Sequence, residues 1–102
     1  MVHKLQMVFE ELCAIYFPQK AGNAFRAAVV FEYCKEKDAV ILTIDHNAGM
    51  VPDEELHADM SFIIVNRIAS ELEQTALTET SENGGYRMVL TIEKGDSKQH
   101  EI

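Results

Sequence analysis

The residues best placed to do chemistry lie in one loop, directly after an apolar, strand-like run. Asp45 ends the run ILTID, and His-Asn-Ala-Gly follows it up to Gly49. A strand that only has to turn can do so with Asn-Gly and no acid. An Asp at a strand end can also cap the turn that follows it. The loop therefore predicts either a binding site with Asp45 as its acid or a simple strand end.

A second group of polar residues precedes the next apolar segment. Asp59 and Ser61 stand where a helix is expected to begin, and either side chain can accept a hydrogen bond from an unpaired backbone N–H. The acids at 53–55 are expected to form a solvated first turn or the remnant of a lid. His46 and His57 lie at the two ends of the loop and match no metal-ligand spacing. We expect both histidines to be exposed and no metal site to be present.

Apolar periodicity predicts the elements that hold these residues. Helical spacing predicts an amphipathic helix over 3–16, and Pro18 is expected to end it. The other predicted elements are strands over 25–34 and 39–45 joined by Lys-Glu-Lys-Asp, a loop over 46–58, a second helix with an apolar stripe at Phe62, Ile64, Val65, Ile68, Ala69 and Leu72, a strand over 75–80, a turn at 82–85 and a strand over 86–93.

These elements predict an α/β (α+β) two-layer sandwich, in which a mainly antiparallel four-stranded sheet carries two helices on one face. Residues 4–94 are expected to form a single domain, with 95–102 as a polar tail. Ten residues are expected to be buried, namely Ala27, Val29, Phe31, Val40, Leu42, Ile44, Val65, Leu72, Met88 and Leu90.

Composition excludes several classes of function. The chain has 102 residues, enough for one hydrophobic core, and a formal net charge of −8. That charge argues against binding to nucleic acid, because phosphates are held by clusters of Lys and Arg. No apolar run reaches the length of a membrane span, and no signal-peptide pattern opens the chain. Cys13 and Cys34 are expected to be buried thiols, which favours a cytoplasmic protein.

Taken in order, four segments resemble the ATP-binding domain of the GHKL superfamily, which includes histidine kinases, gyrase-type ATPases and anti-sigma-factor serine kinases. VFEELCAIY resembles the first helix of that domain, and ILTIDHNAGMVPDE resembles its Asp-x-Gly-x-Gly loop. HADMSFIIVNRIASELE resembles the second glycine motif with its helix, and TETSENGGYRMVLTIEK resembles the closing strands. The resemblance implies a truncated histidine kinase-like ATPase fold.

The resemblance also implies roles for individual residues. Glu11 falls at the position of the general base, although by itself it reads as an exposed acid on a helix. Ile15 stands where the family has an Asn that helps to hold Mg²⁺, and an aliphatic side chain cannot coordinate that ion. Asp45 matches the acid that accepts a hydrogen bond from the adenine amine. The first glycine of the loop is replaced by Asn47, and the second is kept as Gly49.

The phosphate end of the family site matches least. Asp59 and Ser61 occupy the positions where two glycines would open the helix and let phosphates approach its backbone N–H groups. An Asp at this point already satisfies the helix dipole and repels a triphosphate. The resemblance thus implies a nucleotide-binding loop that retains Asp45 and Gly49 but lacks the residues that would bind phosphate and metal.

Three classes of function follow. The first is a regulatory signalling module that binds a protein partner and has weak or no nucleotide binding, and therefore is not an enzyme. The alternative is an active anti-sigma-type protein kinase with ATP and Mg²⁺ as ligands. The third is an α/β sandwich that is unrelated to nucleotide-binding proteins and resembles them only in the order of its elements. The family's leading strand and helix have no counterpart here, which would leave a sheet edge uncovered, and a homodimer would cover it.

Overall fold

A computed structural model of the chain describes residues 1–81 and 84–94. Among these residues, a single antiparallel sheet of four strands carries all the helices, and its strand order is β1-β2-β4-β3. In chain order the elements are α1 (Val2–Phe9), a π-helical segment (Glu10–Tyr16), α2 (Phe17–Ala21), a short 3-10 helix (Gly22–Ala24), β1 (Ala27–Cys34), β2 (Ala39–His46), α3 (Asp53–Ala58), α4 (Met60–Ile68), β3 (Glu71–Ser81) and β4 (Gly84–Glu93).

The helical segments over 2–21 and α4 pack on the same face of the sheet. Alternate side chains along a strand point to opposite faces, so every second residue of β2 and β4 meets the helices. This alternation confirms the predicted two-layer arrangement. The fully buried residues of the shared core are Val8, Leu12, Phe17, Leu42, Ile44, Phe62, Val65, Met88, Leu90 and Ile92.

The first helix does not end at Pro18, contrary to the prediction. α1, the π-helical segment and α2 form one continuous helical stretch over 2–21, called here the N-terminal stretch. In an α-helix a proline ring clashes with the carbonyl four residues earlier. In the turn before Pro18 the N–H of Phe17 bonds instead to the carbonyl of Leu12, five residues earlier, and this wider turn accommodates the ring. The stretch ends at Gly22, whose φ is +64°.

The second helix is shorter than its apolar stripe predicts, and the third strand is longer. α4 ends at Ile68, and Ala69 is already extended. The N–H of Ser70 donates to the carbonyl of Thr91 at 2.8 Å, which starts the pairing with β4. Leu72 therefore belongs to β3 and lies opposite Leu90 rather than in a helix. The predicted loop over 46–58 also contains a helix, α3.

Half of the predicted core is fully buried, and the exceptions lie mainly on β1. Ala27, Val29, Val40 and Leu72 are half-buried, and the side chain of Phe31 is 51% exposed. The helices cover the central strands β2 and β4, whereas β1 is an edge strand. The prediction for Phe31 was wrong because alternation identifies a face without showing how far the helices extend over it. The residues confirmed as buried are Leu42, Ile44, Val65, Met88 and Leu90.

Other expectations have mixed outcomes. The turn at 35–38 is confirmed, and Asp38 adopts φ +48° in it. Cys13 and Cys34 are half-buried thiols, and burial raises the pKa of Cys13 to about 11. No helix of the described residues is long and apolar enough to cross a membrane. The predicted turn at 82–85 lies partly outside the described residues, and the whole tail at 95–102 lies outside them.

Candidate functional site

Asp45 forms an ion pair with Arg87 on the neighbouring strand. The Nε of Arg87 donates to Oδ1 of Asp45 at 2.6 Å, and its second nitrogen donates to Oδ2 at 2.9 Å. This bidentate geometry is the strong form of an Arg–carboxylate contact. The hydrogen bond from Arg87 holds the pKa of Asp45 below its usual value. Both carboxylate oxygens of Asp45 are thus already engaged within the chain.

The strand register places this ion pair on the face of the sheet opposite the helices. Asp45 lies between Ile44 and His46, which are both buried on the helical side. Since alternate residues point to opposite faces, Asp45 points away from the N-terminal stretch. Glu11 belongs to the π-helical segment of that stretch. The structure therefore does not bring Asp45 and Glu11 together, because the sheet lies between them.

Asn47 ties the start of the loop to the start of β1. Its side-chain oxygen accepts a hydrogen bond from the N–H of Arg26 at 2.9 Å, and its side-chain nitrogen donates to the carbonyl of Ala24 at 2.6 Å. Asp38 is the only non-glycine with positive φ among the residues that the structure describes. Asn47 therefore does not need the left-handed tolerance expected of a glycine replacement, and it acts here through its amide.

Gly49 is the loop residue whose type the backbone requires. Its φ is +91°, a conformation in which L side chains are strained. A Cβ at this position would meet nothing within 4 Å, so the requirement comes from the backbone and not from a close neighbour. Gly49 therefore has a conformational reason to be a glycine at this point of the loop.

Asp59 is the N-cap of α4. Its Oδ1 accepts a hydrogen bond from the N–H of Ser61 at 2.9 Å, and Ser61 is itself buried. This confirms that one of the two polar residues caps the helix and identifies Asp59 as that residue. The carboxylate occupies the N-terminus of α4, where the family motif would leave backbone N–H groups for phosphate.

Glu11 and Ile15 lie one turn apart on the π-helical segment. Glu11 is half-buried, and the side chain of Ile15 is 41% exposed. Ile15 is therefore accessible but offers no oxygen to a cation. Within residues 1–81 and 84–94, no group of three or more His, Cys, Asp or Glu side chains is arranged to hold a metal ion.

His46 is buried, contrary to the expectation that it would be exposed. Only 1% of it is accessible, and its ring stacks on Phe17 with centroids 4.1 Å apart. Its Nδ1 accepts a hydrogen bond from the N–H of Ala48 at 3.0 Å. Burial lowers the pKa of His46 to about 4, although the nearby Asp45 opposes this shift. His46 is thus a neutral core residue, whereas His57 is exposed as predicted.

The acidic first turn of α3 is attached to the N-terminal stretch. The Tyr16 hydroxyl donates to Glu55 Oε1 at 2.7 Å, and the Lys20 ammonium lies 2.9 Å from the same oxygen. Lys20 and Tyr16 hold the pKa of the Glu55 carboxyl below its usual value. Burial, together with the bond to Glu55, raises the pKa of Tyr16. The prediction of a first turn at 53–55 is confirmed, but Glu55 also holds α3 against the helices.

A side-chain amide holds the chain just before α3. The N–H of Val51 donates to Gln74 Oε1 at 2.8 Å, and Gln74 Nε2 donates to the carbonyl of Val51 at 3.0 Å. Val51 is buried, so both of its backbone groups depend on this single side chain. This pair of bonds is called the Gln74 clamp below.

Three features of the site were not predicted from the sequence. Arg87 lies in the predicted strand over 86–93 and received no role there, although an Asp on the adjacent strand of the sheet is a signal for a basic partner. His46 continues the alternation of Leu42 and Ile44, which would have placed it in the core. The partner of Glu55 is far away in sequence, so no local pattern indicates it.

No family model, no curated protein and no solved structure matches this chain.

Proposed function

We propose that this protein is a regulatory signalling module that binds a protein partner through a GHKL-like fold and has weak or no nucleotide binding. The observation that carries the proposal is the bidentate ion pair of Asp45 with Arg87. An adenine amine that used Asp45 would compete with a guanidinium that already bonds to both carboxylate oxygens. Exchanging this bidentate ion pair for a single hydrogen bond from a neutral amine is unfavourable.

The phosphate end supports the same proposal. Asp59 already bonds to the N–H of Ser61 at the start of α4. A phosphate placed there would lose access to this N–H and would face a carboxylate at short range. The net charge of −8 adds a longer-range repulsion of a polyphosphate. The N-terminus of α4 is therefore an unfavourable site for the phosphates of ATP.

The position that would hold Mg²⁺ is also unfavourable for ATP binding. Ile15 supplies no ligand where the family resemblance implies an Asn, and Mg²⁺ demands oxygen atoms in near-octahedral geometry. Protein-bound Mg²⁺ would then rest on water and phosphate alone. Loss of this ligand removes the main means of neutralising charge in phosphoryl transfer.

Exposed apolar side chains support a protein partner. The exposed fractions are 74% for Val2, 41% for Phe9, 51% for Phe31 and 58% for Tyr33. Val2, Phe9 and Phe31 line one apolar surface between α1 and β1, and clustered apolar surface commonly marks an interaction site. The negative charge favours a partner that is a protein rather than a nucleic acid.

The active-kinase alternative is favoured by two observations. Gly49 keeps the positive φ and the open space that a nucleotide loop requires, and Glu11 remains a carboxylate at the position of the base. In this alternative Arg87 would release Asp45 when ATP binds. The two functions therefore differ in whether Mg-ATP binds at micromolar concentration.

Thermal unfolding in the presence of Mg-ATP distinguishes them. A ligand present at a hundred times its Kd should raise the midpoint by roughly 10 °C in a domain of this size. Our proposal predicts a shift within about 1 °C at millimolar Mg-ATP, which is the small end of that linkage scale. Arg87→Ala should increase the midpoint shift that adenosine produces, because it frees Asp45. Arg67→Ala, at an exposed position of α4, is the matched control and should leave that shift unchanged. A large, Mg-dependent midpoint shift in the wild type would favour the kinase.

A further inference from the structure

β1 is an edge strand with few of the features that prevent pairing with another chain. Among the described residues it borders only β2, in the sheet order β1-β2-β4-β3. Its eight residues contain no proline and no lysine, and Glu32 is their only charged residue. Natural edge strands are usually protected by charges, prolines or bulges. The register of β1 against β2 runs without interruption from Ala27 to Cys34, so no bulge protects this edge.

The backbone groups at the open edge of β1 belong to its odd-numbered residues. The N–H of Asn47 donates to the carbonyl of Arg26, one residue before the strand begins. In an antiparallel ladder, residues that bond to the partner alternate with residues that bond outward. The even-numbered residues of β1 therefore bond to β2. The N–H and C=O groups that face the open edge are those of Ala27, Val29, Phe31 and Tyr33.

The side chains of these same four residues lie on the helical face of the sheet, because each is paired with a residue of β2 that points to that face. Phe31 and Tyr33 are more than half exposed. A hollow of about 420 Å³ lies beside the small side chain of Ala27, and its other lining residues are Phe9, Cys13, Phe25, Arg26 and Val29. The open edge of β1 thus carries the exposed ring of Phe31 near one end and the hollow beside Ala27 near the other.

We propose that a second copy of this chain pairs with β1 in antiparallel orientation about a two-fold axis at Val29, to give a continuous eight-stranded sheet. In this register Ala27 lies opposite Phe31 of the second copy, and Phe25 lies opposite its Tyr33. Each Phe31 then fills the hollow beside Ala27 of the other copy. The same register places Arg26 of each copy, one residue before β1, opposite Glu32 of the other copy.

Charge complementarity selects this register among those that satisfy the backbone. A two-fold axis at Ala28 would place Arg26 opposite Val30, and an axis at Val30 would place it opposite Cys34. Only the axis at Val29 pairs Arg26 with Glu32, and symmetry makes that pair twice. Opposite charges across antiparallel strands stabilise the pairing, and like charges destabilise it.

Sedimentation equilibrium across a concentration series tests the proposal on the full chain. The wild type should pass from its monomer mass of 11.5 kDa to twice that mass as concentration rises. Val29→Pro removes an N–H that faces the edge and leaves the ladder to β2 intact. This variant should stay monomeric while its circular dichroism remains that of the folded protein.

A charge swap tests the register itself. Arg26→Glu and Glu32→Arg should each raise the dimer Kd about tenfold, since each change replaces two attractive pairs by two repulsive ones. The double variant restores both pairs and should return the Kd close to that of the wild type. Lys35→Glu and Glu36→Arg, in the exposed turn after β1, change the net charge equally and should leave the Kd unaffected.

Three results would overturn the proposal. The first is a wild type that stays monomeric at every concentration, which would leave the edge to a strand of a different protein. The second is a folded Val29→Pro variant that still forms the dimer. The third is a double charge variant that is no more dimeric than the single ones. None of these results depends on nucleotide binding, so that part of the proposed function is tested separately. The dimer would itself cover Phe31 and Tyr33, which belong to the apolar surface assigned above to a protein partner.

Discussion

His46 links the pH of the solution to the stability of the fold. Its neutral ring stacks on Phe17 and accepts a hydrogen bond from Ala48, and burial lowers its pKa to about 4. In the unfolded chain the pKa of a histidine is about 6.5. Between these two values the unfolded chain binds a proton that the folded chain excludes. The free energy of unfolding should therefore rise with pH across this window and stop rising above it.

We predict that His46→Phe flattens this region of the stability curve. Phe keeps the stacking on Phe17 and removes the titrating group, so the difference in slope between variant and wild type isolates His46. That difference is at most about 1.4 kcal/mol per pH unit. Urea unfolding at several pH values from 4 to 8 provides the measurement. Equal slopes for the two proteins would show that the folded state protonates His46 as readily as the unfolded chain does.

Asp59 carries a prediction that concerns one hydrogen bond. Asp59→Ala removes the acceptor for the N–H of Ser61 and should lower the free energy of unfolding by about 1 kcal/mol. Asp59→Asn is the control, because Asn caps a helix about as well as Asp without its charge. Urea unfolding of both variants provides the measurement. An Ala variant as stable as the wild type would mean that α4 begins at another residue.

These residues show which features of the site can be predicted from sequence. The cap at Asp59 depends on residues two positions apart, and the positive φ of Gly49 is a local property, so both are visible in the sequence. The bidentate contact between Asp45 and Arg87 joins residues 42 positions apart. Its prediction requires the pairing of β2 with β4, which alternation alone does not provide.

At the scale of elements, α3 is held to the rest of the fold by the Gln74 clamp. Gln74→Leu keeps the size of the side chain and leaves the buried N–H and C=O of Val51 without partners. We expect a loss of about 1–3 kcal/mol in the free energy of unfolding, the usual cost of buried unpaired groups. Hydrogen exchange should rise first in the segment from 49 to 58.

Gln74→Glu is the matched control for this prediction. It keeps an acceptor for the N–H of Val51, but it donates to the Val51 carbonyl only while its carboxyl group is protonated. The loss of stability relative to the wild type should therefore be smaller at acidic than at neutral pH, whereas the loss in Gln74→Leu should be the same at both. If both variants exchange hydrogen like the wild type in this segment, then other contacts, such as Tyr16 with Glu55, hold α3 without the clamp.

The boundaries of the helices depended on tertiary contacts that the sequence does not reveal. Leu72 continues the apolar stripe of α4 in sequence, but the bond from Ser70 to Thr91 starts β3 first. Pro18 has the local signature of a helix end, but the π-helical turn before it allows the helix to continue. In each case a competing hydrogen bond decided the outcome. The hairpin of β1 and β2 was predictable because its signals are all local.

At the scale of the whole molecule, the two layers were predictable and the extent of their overlap was not. Alternation identified the buried faces of β2 and β4, whose Leu42, Met88 and Leu90 are fully buried. The exposure of Phe31 follows from the position of β1 at the edge of the sheet. The same geometry leaves β1 available for a partner and places Asp45 on the face away from Glu11.

The central proposal is that this chain has a GHKL-like fold whose nucleotide site does not function. Isothermal calorimetry with adenosine and with Mg-ATP tests this most directly. An intact family site would bind Mg-ATP more tightly, because phosphate and metal contacts add to the adenine contact. We predict that Mg-ATP binds no more tightly than adenosine and that no ATP is turned over, since Ile15 and Asp59 remove those contacts. Micromolar, Mg-dependent binding of ATP with turnover would contradict the claim and establish the kinase alternative.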